Sequence, residues 1–167
     1  MIGEIYNPDQ WNNFFVLVGT GSAALTGLVF VAMTINSKGV TKDGTHRHRA
    51  MNMLTGFTAA FIISALALMG HQTHRTLGIE WLIVSVLAGI INTNGYIQAF
   101  RLRSSLYALS LFRMVGGTAC YVGQIVGSLL LYFGSSAGTY ISAVSLIINF
   151  CFFVSGSWLL ILGNSEK

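Results

Sequence analysis

Residues 114 to 165 include not one charged side chain. A soluble helix needs charged or polar residues on the face it turns to water, and so uncharged a stretch cannot supply one. In a bilayer, about 20 apolar residues cross a hydrocarbon core of roughly 30 Å, so the stretch is long enough for two spans. Gly134-Ser135-Ser136-Ala137-Gly138 divides it, because a cluster of small residues with glycine at both ends reads as a tight turn. The two spans are then 114–133 and about 140–162. Three more apolar runs precede them, at 11–36, 50–69 and about 81–100. The expected fold is all-α: one transmembrane domain over residues 1–167, an integral membrane bundle of five helices with loops too short for a soluble domain.

Composition leads to the same class. The chain is 53% hydrophobic and only 8% charged, where a soluble domain carries about 25% charged residues. A formal net charge of +4 would suggest nucleic acid in a soluble protein, but no basic, aromatic-lined module is visible and no nucleic-acid partner is expected. Membrane orientation explains the basic residues instead. With the five runs threaded in alternating directions, Lys38, Lys42, Arg47, Arg49, Arg101, Arg103, Arg113 and Lys167 fall on one side and Arg75 alone on the other. Positive charge in short loops marks the cytoplasmic side, so the N-terminus is expected outside and the C-terminus inside, with anionic headgroups beside the basic residues.

The N-terminal residues carry Glu4 and Asp9 but no basic region or small-residue cleavage site, so the first run is expected to be a retained helix. Asn7 and Pro8 suit the N-cap and first helical position. Cys120 and Cys151 lie within apolar runs, where they act as small hydrophobes.

Helices in lipid associate through small residues and side-chain hydrogen bonds, and the runs are rich in both. Run one aligns Asn12, Gly19, Ala23, Thr26, Gly27, Phe30 and Thr34 on one stripe, centred on Ala23. Run two carries Gly56, Ala60 and Ser64 at four-residue spacing, and run four carries Gly123 and Gly127. Run five has a seam of Gly138, Ser142, Ser145, Asn149 and Gly156. Run three differs. Ser85, Gly89, Asn92 and Tyr96 line one face, while Asn94 and Gln98 project from a nearly opposite one, which places this helix centrally or between its own bundle and a neighbouring subunit.

Asn92, Gln124 and Asn149 fall near the middle of their spans, where an unpaired amide is costly. They read as interhelical hydrogen bonds or as the polar midplane lining of a pore. No span contains a carboxylate, the usual carrier of protons or cations at that depth. Arg113, at the cytoplasmic start of run four, either snorkels to headgroups or attracts anions at a pore mouth. His71 and His74 lie about one helical turn apart by spacing, at the outer end of run two with Glu80 nearby. The pair could ligate a metal or sense pH but lacks a third defined ligand. His46-Arg47-His48-Arg49 reads as a juxtamembrane segment for headgroups. No Ser/His/Asp set, HExxH or phosphate-binding loop is present, so no catalytic residue, cofactor or resident metal is expected.

The stretch Trp11-Asn12-Asn13-Phe14-Phe15, then Gly19, Ala23-Ala24-Leu25-Thr26-Gly27-Leu28-Val29-Phe30-Val31-Ala32 and Asn36, resembles the first helix of a group of small, uncharacterised bacterial multi-pass membrane proteins. The resemblance covers about one sixth of the chain and implies a bacterial cytoplasmic (inner) membrane. Three roles remain open. The chain could be an accessory or scaffold subunit of a larger membrane complex, for which its packing faces and short loops argue most. It could be a homo-oligomeric channel, or a membrane enzyme or transporter. Its expected partners are lipid together with other membrane subunits or further copies of itself.

Cysteine accessibility tests the threading. A cysteine at Ser136 should be labelled by an impermeant reagent from outside and one at Thr45 should not; the reverse pattern inverts the topology.

Overall fold

The computed structural model describes residues 6–35, 44–101 and 107–162. They form five helices: α1 Pro8–Ile35, α2 Gly44–Leu68, α3 His74–Arg101, α4 Tyr107–Tyr132 and α5 Ala137–Leu162. No strand occurs among the described residues. Every helix is long and apolar enough to cross a membrane, and the chain is an integral membrane helical bundle. Below, the near pole is the end where α1 begins, and the far pole is the opposite end.

Local chemistry sets the helix ends. At the start of α1, the Asn7 side-chain oxygen accepts the Asp9 N–H at 3.0 Å, which satisfies one of the donors a helix start leaves unpaired. The last turn of α2 is completed from outside the helix. The Tyr6 hydroxyl donates to the Ala67 carbonyl at 2.7 Å, and burial pushes that hydroxyl up to about 12, so it stays a neutral donor at physiological pH. The chain turns through His71 at a φ of 60° and restarts at Thr73. There the Thr73 hydroxyl accepts the Thr76 N–H and the Thr76 hydroxyl accepts the Thr73 N–H, a reciprocal arrangement of the capping-box kind. At the other near-pole turn Gly134 has a φ of 87°. Its N–H reaches the Leu131 carbonyl and that of Ser135 reaches Leu130, the Schellman pattern that ends α4.

The turn placed at 134–138 from sequence is thus where the chain reverses. The start of run three was not where the sequence put it. α3 begins at His74 rather than near Trp81, because the threonine cap starts the helix above the apolar run, and Glu80 therefore lies on α3 itself. The histidine pair changes with it. His71 sits in the turn and His74 opens α3, so the two are not one turn apart on a common helix.

α2, α3, α4 and α5 pack in a closed ring, with α2 against both α3 and α5, and α1 packs on the outside of α2. The Trp11 ring stands edge-on to Tyr140 of α5, with centroids 4.8 Å apart. Half of the α2 span is buried against 22% of that of α1, which makes α2 the central helix and α1 the peripheral one. Two apolar clusters fill the bundle. The near-pole cluster gathers Phe15, Ile63, Leu77, Trp81, Leu131 and Leu146, and the far-pole cluster Met53, Phe57, Ala88, Tyr121 and Phe153. The Trp81 indole N–H donates to the Ile63 carbonyl at 3.1 Å, tying α3 to α2 inside the first cluster.

The small-residue stripes settle out differently. Gly56, Ala60 and Ser64 are buried, as are Gly127, Gly138 and Ser142. Gly19 is buried too, and a Cβ there would stand 3.2 Å from that of Ser64. Beyond Gly19, however, the middle of the α1 stripe is not covered by the other described residues. Ala23 is exposed, and a Cβ at Gly27 would meet nothing within 4 Å. The buried face of α1 runs through Phe15, Gly19, Ser22 and Val29, rotated from the expected one because aromatic Phe15 and branched Val29 fill the bundle better than alanine and glycine do.

Gly78 marks the tightest approach of α3 to α4. A Cβ there would lie 2.8 Å from the Tyr132 backbone nitrogen and 3.0 Å from the Ser128 carbonyl oxygen, atoms that move only with their helix. Gly78→Leu is expected to destabilise the bundle by about 3 kcal/mol or more, since overpacking alone costs about 1–3. Gly27→Leu should leave monomer stability within about 0.5 kcal/mol. Thermal unfolding in detergent distinguishes the two, and a harmless Gly78→Leu would contradict this packing.

Candidate functional site: the polar interior of the bundle

Each ring helix buries polar side chains against its neighbours. α3 contributes Ser85 and Asn92, α4 contributes Gln124 and Ser128, α2 contributes Asn52 and Ser64, and α5 contributes Thr139, Ser142 and Ser145. All are buried. Ser85 and Asn92 lie two turns apart and so share a direction, and Asn52 and Ser64 belong to one series of four-residue steps through Gly56 and Ala60.

One group is joined by hydrogen bonds. The Asn92 amide nitrogen donates to the Tyr121 hydroxyl at 2.9 Å, and the Asn52 amide nitrogen donates to the Asn92 backbone carbonyl at 3.3 Å. Gly95, one turn below, leaves space for Asn52: any Cβ at that position would collide with its amide. α2, α3 and α4 are thereby linked at one level in the far-pole half. Asn52 was not singled out from the sequence, although it extends the Gly56-Ala60-Ser64 stripe by one turn, a signal that could have found it. Tyr121 was missed as well, three residues before Gln124 on the same face.

The three amides expected at the midplane are not hydrogen-bonded to one another. Asn92 bonds to Tyr121, not to Gln124 or Asn149. Gln124 is 4% exposed, and neither of its amide atoms has a hydrogen-bond partner among the described residues. Asn149 is half-buried with its carbonyl oxygen unpaired. Unpaired hydroxyls also occur at Ser22, Ser64, Thr139 and Ser142. The hydroxyls have a local remedy: Ser85 and Ser128 each donate to the carbonyl four residues back, at 2.6 and 2.7 Å, and their neighbours can turn the same way. A carboxamide has no such standard local bond and needs both a donor and an acceptor from elsewhere.

The other candidate residues stand apart from this interior. Arg113 belongs to α4, but its side chain lies outside the described residues, as do the basic side chains expected on the cytoplasmic side. Near the turn that carries His71, Gln72 donates to Glu80 at 2.9 Å. Among the described residues, no three of His, Cys, Asp or Glu come together as metal ligands. The polar interior can therefore cross-link helices and accept or donate hydrogen bonds.

Substitution separates the bonded amide from the unbonded one. Tyr121→Phe strands the Asn92 N–H and should cost about 1–2 kcal/mol. Gln124→Leu removes a group that holds no partner, so it should change stability by less than that, or raise it. Equal losses for both, measured by reversible unfolding in bicelles, would show that Gln124 is bonded after all.

No protein-family model, curated protein or solved structure matches this chain, so its function has to be argued from its own residues.

Proposed function

We propose that this chain is an accessory or scaffold subunit of a larger membrane complex, set in a bacterial cytoplasmic membrane with its N-terminus outside and C-terminus inside. The observation that carries the reading is the outward face of α1. Ala23 and Gly27 are uncovered by the other described residues, and small residues at helical spacing are the means by which one membrane helix lets another approach closely. The bundle core needs nothing from this face, since its own packing runs through Phe15, Gly19, Ser22 and Val29. A helix held at the periphery, with small residues at Ala23 and Gly27 on its outer face, is suited to receive a helix of another membrane protein.

A homo-oligomeric pore lined at the midplane is the second reading, and the unpaired amide of Gln124 favours it. Against it, the buried amides face the interior of one chain and not a surface that further copies would enclose. A conduction path would have to open within the ring itself.

Purification from native membranes at native expression tests the assignment. Heterologous membrane proteins should accompany the wild-type chain and be lost with Gly27→Leu, whose own fold is unaffected. A chain that emerges without foreign partners yet conducts in liposomes, with flux abolished by Gln124→Leu, would establish the pore instead.

A further inference from the structure

We propose that the membrane-facing groove between α3 and α4 seats a second copy of this chain, paired across a two-fold axis through Asn94. The groove has a volume of about 310 Å³ and is lined by Gly89, Ile90, Thr93, Asn94, Thr118 and Val122, among others. Its floor exists because Gly89 has no side chain: a Cβ there would rest on Tyr121 at 3.4 Å. Ile90 and Val122 on its rims are more than half exposed, so the groove opens away from the ring toward lipid. The site lies apart from the outer face of α1 and does not depend on the role proposed for that face.

Asn94 is what calls for an occupant. It is exposed and makes no hydrogen bond among the described residues, and Gln98, one turn further along the same face, is the same. Seven residues at about 1.5 Å each separate Asn94 from the Arg101 end of α3, which puts its amide roughly 10 Å inward along the helix. Lipid at that depth presents hydrocarbon. An acyl chain could fill the volume but would leave both amide atoms unpaired, and ester oxygens, which only accept, lie nearer the headgroups.

A second copy satisfies both atoms at once. A carboxamide is self-complementary, with N–H donors and a carbonyl acceptor on one group, so two of them facing each other can exchange a pair of hydrogen bonds. Copies inserted with the same topology and related by a two-fold axis along the membrane normal present every residue at the same depth in both. Asn94 then meets Asn94 with no adjustment of register, and Gln98 meets Gln98 one turn below. A foreign helix would need its own polar residue at that depth. Two-fold pairing is also the commonest closed symmetry of homo-oligomers.

The test uses the full chain in native membranes, with Cys120 and Cys151 replaced by alanine. Asn94→Cys should form an inter-copy disulfide under mild oxidation, while Leu28→Cys, on the outer face of α1, should not. In lipid nanodiscs the wild-type chain should have the mass of a dimer. Asn94→Leu should weaken association about tenfold or more, because two interhelical hydrogen bonds are lost, and Asn94→Gln should largely restore it. Asn94 has no hydrogen bond among the described residues, so the monomer's thermal unfolding should not change. A monomeric mass, with or without bound lipid, overturns the proposal. So does a dimer unaffected by Asn94→Leu, or cross-linking from position 94 to a different protein. None of these outcomes bears on partners lost with Gly27→Leu, so the two assignments can fail separately.

Discussion

The fold rests on how closely its helices can approach. Lipid tails are as apolar as leucine, so burying leucine against a neighbouring helix gains little over leaving it in the bilayer, and contact must come from van der Waals fit and hydrogen bonds. Gly78 admits the α4 backbone to α3, and Gly127 and Gly138 bring α4 and α5 together, with a Cβ at Gly127 falling 2.8 Å from the Gly138 carbonyl oxygen. All three contacts lie in the near-pole half, beside the tightly ended turn at Gly134. The far-pole half is joined by other means, through Phe57, which meets the Phe150 ring edge-on and the Phe153 ring at a tilt, and the bonds among Asn52, Asn92 and Tyr121.

Much of this was legible in the sequence because lipid makes the pattern coarse. Charge-free runs of spanning length, with Gly-Ser-Ser-Ala-Gly between the last two, were enough to identify five helices and the final turn. The start of α3 was harder, since Thr73 and Thr76 cap the helix through reciprocal bonds that hydropathy does not register. The faces were harder still. Small residues mark where a helix can be approached but not which helix approaches it. On α2 Gly56, Ala60 and Ser64 are buried, and on α5 Gly138, Ser142 and Ser145 are, whereas on α1 the bulkier face of Phe15 and Val29 is buried and Ala23 and Gly27 are exposed.

The same ambiguity explains the polar residues. Depth in a span is readable from the sequence, and it marks Asn92, Gln124 and Asn149 as costly wherever they lack a partner. Partners depend on rotation and register between helices, which no single span encodes. Asn92 obtained its bond from Tyr121, a residue that looked like packing, and Asn52 was unremarkable until Gly95 appeared opposite it. Gln124 shares its helix face with Tyr121 and Ser128, yet its amide reaches neither.

Unpaired amides inside and outside the ring have different consequences. Gln124 is enclosed by its own bundle, so no other protein can reach it, and its cost is carried by the monomer alone unless the ring opens. Asn94 and Gln98 are on the surface, where their cost ends as soon as a suitable partner arrives. Polarity at the lipid surface can therefore drive assembly in a way that buried polarity cannot. The monomer loses nothing it depends on when the partner leaves, because no hydrogen bond among the described residues involves those two side chains. Assembly at this face should consequently be reversible and separate from folding, with the ring helices complete before any second copy is engaged.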